Sequence, residues 1–206
     1  MIFGYLLASA VALGIIWLAF GIWKIGAVSR GKPIGERGKQ ALLLIDLQSV
    51  FWDHGPYSDA AKHSTKDAIL REIDAAKAQG HHIVAVRQEW SIPSTKAIAR
   101  LAMKGQAIEG SKGTELAEPF AGLADHVLVK RVQDAFETGA LDALLASLGV
   151  GQLRIAGLDL NYCVLKTALA ARNRGYDVTV VEGGTLSAAP SERAERQMAT
   201  HGVALR

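Results

Sequence analysis

Three reactive side chains stand just beyond short apolar runs. Asp46 follows Ala41-Leu42-Leu43-Leu44-Ile45, Lys130 follows Val127-Leu128-Val129, and Cys163 comes shortly after Leu153-Arg154-Ile155-Ala156-Gly157. They supply an acid, a cation and a nucleophile. A thiol with an ordinary pKa of about 8.5 is mostly protonated at neutral pH and needs a base or a cation to become a thiolate. Asp46 is the candidate to take the proton. Lys130 and the positive end of a helix starting at Cys163 would both favour the sulfur anion, and Lys130 would keep Asp46 ionised. Each residue alone also has an ordinary use. An isolated cysteine is more often a small buried hydrophobe, an aspartate after a strand a helix cap, and a lysine there a solvated charge. Only the joint placement points to chemistry.

That placement depends on a sheet. Apolar runs at 41–46, 83–86, 127–129, 153–156 and 178–181 read as five buried strands. Helical patterns fall between them at 64–79, 139–148 and 164–174, each closed by a glycine (Gly80, Gly149, Gly175), with a last helix at 191–201. Strands alternating with helices imply parallel pairing through right-handed crossovers. The expected fold is a three-layer αβα domain on a mostly parallel, Rossmann-like sheet. In such sheets ligands bind beyond the carboxyl ends of the strands, where Asp46, Lys130 and Cys163 all fall.

Ahead of this domain the chain carries no charged side chain over 2–23. A helix of that length is about 33 Å long, enough to cross a hydrocarbon core of about 30 Å. A cleaved secretory signal is the alternative, but those open on a basic stretch and use a shorter apolar run. Lys24, Arg30, Lys32, Arg37 and Lys39 follow the helix, which by the positive-inside rule places the downstream domain in the cytoplasm. The expected organisation is therefore a transmembrane helix over 1–25, a basic flexible tether over 26–40, rich in glycine, and one catalytic domain over 41–206.

Composition sets further bounds. The 206 residues fit one ordinary domain plus an appendage, and the single cysteine, Cys163, excludes an intrachain disulfide. A formal net charge of +3, with the basic residues scattered, argues against a nucleic-acid partner.

Several segments together resemble the isochorismatase-like hydrolase superfamily, which includes nicotinamidases and carbamoyl-amide hydrolases. They are Leu43-Leu44-Ile45-Asp46-Leu47-Gln48 with Phe51; Lys130 followed by Asp134-Ala135-Phe136 and Thr138 through Leu145; and Gly157-Leu158-Asp159-Leu160-Asn161-Tyr162-Cys163-Val164 with Thr167-Ala168. The resemblance covers roughly residues 41 to 205. It implies that Asp46 is the general base, Cys163 the nucleophile and Lys130 the residue that orients the pair, with a thioester acyl-enzyme formed on attack at a carbonyl. It also implies a cis peptide between Leu158 and Asp159, aiming the backbone amides of Asp159 and Cys163 at the developing oxyanion.

The departures from the family are as informative. The loop before the cysteine carries Asp159 and Leu160 where the family usually has a small residue and a threonine. Nicotinamidases bind a metal through an aspartate and two histidines after the second strand, whereas this chain has Arg87-Gln88-Glu89-Trp90-Ser91. No metal and no cofactor are expected. Members that cleave the vinyl ether of isochorismate lack the nucleophilic cysteine, so Cys163 points to amide or ureido hydrolysis. Phe51, Trp90 and Phe136 are the candidates to line the pocket and stack on a flat substrate, core packing being the alternative use of each. The expected partners are a small-molecule amide and the membrane, and the resemblance implies assembly into dimers or tetramers. Nicotinamidase is the alternative enzyme, and a catalytically silent binding or scaffold module at the membrane is the alternative from a different class.

Overall fold

The computed structural model describes residues 2–206. Six parallel strands form one sheet in the order β3-β2-β1-β4-β5-β6: β1 Lys39–Ile45, β2 His82–Gln88, β3 His126–Lys130, β4 Val150–Gly157, β5 Asp177–Thr185 and β6 Ala204–Leu205. The central strand shows why the order follows from sequence. Its run from Ala41 to Ile45 is buried throughout. Ala41, Leu43 and Ile45 pack on one face with the helices α5 (Ala140–Ser147), α6 (Leu165–Asn173) and α7 (Glu192–Thr200). Leu42 and Leu44 pack on the other face with Ile69, Ile73 and Ala76 of α3 (Asp59–Ala78). A strand buried on both sides reads as a continuous apolar run, and this is the middle layer of the expected αβα sandwich.

The five expected strands are present. The sixth, β6, is two residues long, too short for an apolar pattern to reveal. Helix α3 begins five residues before the expected start at 64, because Ser58 caps it by accepting a hydrogen bond from Ala61 N. Two helices escaped the sequence pattern, the short α2 (Ser49–Trp52) and α4 (Pro93–Ala102). The buried face of α4 is Ser94, Thr95, Ile98 and Ala99, so few large apolar residues mark it.

What α4 packs against explains its small residues. The apolar N-terminal helix α1 (Ile2–Gly26) lays its last turns on it. A Cβ at Gly21 would stand 2.8 Å from both Ile98 Cδ1 and Ser94 Cβ, so glycine is what permits this approach. Leu18 and Ile25 join Val50, Trp90, Ile98, Ala99 and Ala107 in one cluster. Gln133 N donates to Ile25 O at 3.1 Å, and Lys24 pairs with Glu137 at 3.3 Å. Further out, α1 is exposed at Tyr5, Leu6, Leu13, Ile16 and Phe20. It is long and apolar enough to cross a membrane.

The basic segment after α1, expected to be a flexible tether, forms neither helix nor strand from 27 to 38. Its backbone is nevertheless pinned to the domain. Ser29 N donates to buried Asp134 at 2.7 Å, Arg174 and Asn173 both donate to Ser29 O at 3.2 Å, and Ile34 N donates to Arg174 O at 2.9 Å. The backbone there is irregular, and long-range polar partners hold it in place.

Candidate active site

The crevice lies where the strand order reverses, between β1 and β4. Here Gly157 has φ 127°, and a Cβ on it would fall 2.1 Å from Ile45 O. Only glycine lets β4 close onto β1 at this point. The next residue of β1's exit, Asp46, adopts φ 54° although it carries a side chain. A non-glycine residue held in that region is locally strained and persists where its surroundings fix it. Asp46 N donates to Val86 O at 2.9 Å, which holds the turn.

Lys130, at the end of edge strand β3, reaches across the intervening β2 to meet Asp46. Its Nζ lies 3.0 Å from Asp46 Oδ2 and 3.3 Å from Cys163 Sγ, and it donates to Gln88 Oε1 at 2.5 Å and to Val132 O at 3.2 Å. Lys130 is fully buried and Asp46 nearly so, at 0% and 3% exposure, which leaves no solvent to screen the pair. Cys163 sits in a π-helical turn, Leu160–Val164, that leads into α6. Single π turns are frequent at functional sites, because the extra residue re-aims a side chain. Asp46, Lys130 and Cys163 are thus brought together as expected.

Electrostatics refine the expectation. Burial, the largest influence, raises the Asp46 pKa above the usual carboxylate value, with Lys130 opposing it. Burial works against the Lys130 charge, yet the Asp46 carboxylate and the Cys163 sulfur outweigh it and hold Lys130 above the ordinary lysine value. The Cys163 thiol is pushed up, first by burial and then by Asp46, and Lys130 only partly offsets this. The pull of Lys130 toward the sulfur anion is thus opposed by burial and by the Asp46 charge. Asp46 Oδ1 is buried without a hydrogen-bond partner among the described residues. It is the free acceptor that a proton leaving the thiol would find.

This arrangement makes a signed prediction for alkylation of Cys163 by a small electrophile across pH. The wild-type rate should rise above the pH of about 8.5 expected for a free thiol. Asp46→Asn should shift the profile downward, since the negative charge that raises the thiol pKa is gone, and Lys130→Ala should shift it upward.

Asp46 and Cys163 open onto a cavity of about 350 Å³, lined in part by Phe51, Trp90, Met103, Leu158 and Tyr162. Phe51 and Trp90 therefore take the pocket positions expected of them. Phe136 does not. It is buried at 1% exposure in the α5–α6 core, tilted against Tyr176 with the Arg174 guanidinium 4.6 Å from its ring centroid. Its place after Asp134 turns it inward, away from the cavity.

Asp159 lines the cavity, but its carboxylate is committed to the loop. Oδ1 accepts from Asn161 N at 2.8 Å, while Oδ2 accepts from Ala188 N at 2.7 Å and from the Tyr57 hydroxyl at 3.2 Å. Burial, then Asp159, raises the Tyr57 pKa and keeps its phenol protonated. The cis peptide implied at Leu158–Asp159 is absent, and every peptide bond among the described residues is trans. The loop is tied down without it: Leu158 N donates to Ile45 O and Leu160 N to Leu186 O, both at 2.9 Å, with Asp159 extended between them.

Two buried amides were overlooked as parts of the site. Gln88 N donates to Gln48 Oε1 at 2.5 Å, Gln48 Nε2 donates to Gln88 O at 3.0 Å, and Gln88 in turn accepts from Lys130. A buried glutamine at each of two neighbouring strand ends was the available signal. Tyr57, Met103 and Gln133 came from loops and helices with no such mark.

After β2, the Gln88 side-chain amide is spent on Lys130, Glu89 pairs with Arg87 at 3.4 Å, and no group of three His, Cys, Asp or Glu side chains assembles among the described residues.

Comparison with known proteins agrees with the architecture. The sequence model of the Isochorismatase domain matches residues 40–204. The chain is 29% identical over 148 residues to streptothricin hydrolase of Streptomyces noursei, covering 70% of this chain but only 53% of that protein, about half its length. It is 26% identical over 175 residues to the nicotinamidase of Escherichia coli K12, covering 70% of this chain and 82% of that one. In structure it is similar to N-carbamoylsarcosine amidase from Thermoplasma acidophilum, with a TM-score of 0.70 and 23% identity over 82% of this chain and 96% of the other. The match of the Isochorismatase domain over residues 40–204, carried on this six-stranded parallel sheet, shows that the chain belongs to the isochorismatase-like family.

Proposed function

We infer that this enzyme is a membrane-anchored cysteine hydrolase that cleaves a C–N bond of a small amide or ureido compound through a thioester. The observation that carries the reading is Lys130 Nζ, held 3.0 Å from Asp46 and 3.3 Å from Cys163 beside a cavity of about 350 Å³. Asp46 Oδ1 takes the thiol proton as sulfur attacks the carbonyl carbon, so that a C–S bond forms while the carbonyl oxygen gains negative charge. The backbone amides of Asp159 and Cys163 are the candidate oxyanion donors. Asp159 N is bonded to no protein acceptor among the described residues, which supports its part. The proton passes from Asp46 to the nitrogen, the C–N bond breaks, and ammonia or an amine leaves. Asp46 then takes a proton from water, hydroxide attacks the thioester, and the acid departs as the thiol reforms.

A general base whose pKa is raised toward the working pH accepts a proton more effectively, which is the direction burial moves Asp46. Lys130 holds the pair in register and stabilises the sulfur anion during attack. The test is Asp46→Asn. It should lower kcat about 10²–10⁴-fold on an amide the wild type cleaves, while its thiol alkylates at lower pH than in wild type. Full turnover by this variant would overturn the reading.

The anchoring part rests on α1, whose exposed apolar surface needs a bilayer to cover it. The basic residues after it favour a single pass with the domain in the cytoplasm. The full chain should stay with membranes after a carbonate wash and resist protease added outside intact cells. Its release as a shortened soluble form would show a cleaved signal instead.

A further inference from the structure

A second depression, of about 580 Å³, begins at the last turn of α1. Ile22 and Ile25 of α1 form one side and Leu165 and Pro190 contribute further apolar surface, with Lys166 and Arg193 also in its lining. It adjoins the reaction cavity, because Gln133 and Tyr162 line both. Tyr162, half exposed, immediately precedes Cys163 and stands between the two spaces.

Its position relative to a bilayer follows from helix length. If the first two dozen residues cross the hydrocarbon, about 20 residues fill its 30 Å, and the turn holding Ile22 and Ile25 reaches the headgroup layer. The apolar groove then opens where acyl chains meet water, with its two cations suited to the anionic phosphates there. A water-soluble amide needs no such extension of the site, whereas an amphiphile in the membrane does.

We propose that the substrate is an amphiphilic carboxamide taken from the bilayer, its carbonyl at Cys163 and its apolar acyl chain lying past Tyr162 in the groove beside α1. This rests on the membrane-anchored cysteine-hydrolase reading and specifies its substrate class. Attack forms the C–S bond and expels ammonia, leaving the chain on sulfur, and water then releases the fatty acid.

The experiment uses the full chain in phospholipid nanodiscs with primary amides of increasing length, acetamide, hexanamide and dodecanamide, and reads ammonia release. Each buried methylene should raise kcat/KM roughly fourfold until the groove is filled. Gln197→Trp, at an exposed groove position on α7 away from the trio, should cut the dodecanamide rate about tenfold and leave acetamide unchanged. Acetamide turnover that does not improve with chain length, or a long-chain advantage untouched by Gln197→Trp, would overturn the groove assignment and leave the hydrolase reading standing. If no amide of any length is cleaved or acylates Cys163, the carboxamide proposal falls, and if N-carbamoyl compounds are likewise untouched the hydrolase reading falls with it.

Discussion

Cys163→Ala should abolish turnover, lowering kcat by roughly 10⁴-fold or more, while the protein unfolds at nearly the wild-type temperature. The size of the kinetic effect comes from losing the atom that forms the covalent intermediate: without sulfur, amide cleavage falls back on binding and oxyanion contacts alone. The small effect on stability comes from the environment. Sγ accepts from Lys130 at 3.3 Å, but that ammonium keeps Asp46, Gln88 and the Val132 carbonyl as partners. No buried donor is orphaned, and the methyl left behind suits the surrounding Val164 and Leu160 core. Kinetics on an amide substrate, paired with thermal melts, checks both halves.

Lys130→Ala should do the opposite and damage fold and activity together. Removing one member of a buried ion pair leaves an uncompensated charge and costs about 3–5 kcal/mol. In a protein of this size that lowers Tm on the order of 10 °C. Asp46 would remain at 3% exposure with its one cation gone, and Gln88 Oε1 would lose its partner at 2.5 Å. Activity should fall by about 10²–10³-fold in addition, since nothing then offsets the negative charge growing on sulfur. The double variant Lys130→Met with Asp46→Asn should regain much of the lost Tm, because the unpaired charge is gone, yet stay inactive. A double variant as unstable as Lys130→Ala would mean that lost packing, rather than charge, causes the damage.

Much of this was readable in the sequence, and the failures have physical causes. The strands β1 to β5 announce themselves through short apolar runs, continuous in β1, which is buried on both faces, and shorter in the edge strand β3, where Val127 and Val129 are exposed. Asp46, Lys130 and Cys163 were findable for the same reason, since a charged or nucleophilic residue just past such a run falls on the ligand-binding edge. Phe136 misled because an aromatic residue near the site in sequence is not marked as facing the cavity or the core. Helix α4 hid because it meets α1 through Ser94, Ile98 and the Gly21 approach, a contact between small residues that carries little hydrophobic signal.

The thiol shows a different limit. Lys130 and a helix start both favour a thiolate, and sequence displays both. Burial and the adjacent Asp46 charge act the other way, and both depend on distances that only the fold supplies. The same holds for the tether, where Asp134 and Arg174, far away in the chain, hold Ser29.

The most direct test of Cys163 as the nucleophile is the intact mass of the enzyme quenched in acid during turnover of an amide, followed by mapping of the modified peptide. The expected result is a transient adduct on Cys163 equal to the substrate less ammonia or its amine, absent from Cys163→Ala. Steady turnover with no adduct on Cys163, or turnover that survives Cys163→Ala, would contradict covalent catalysis by this residue.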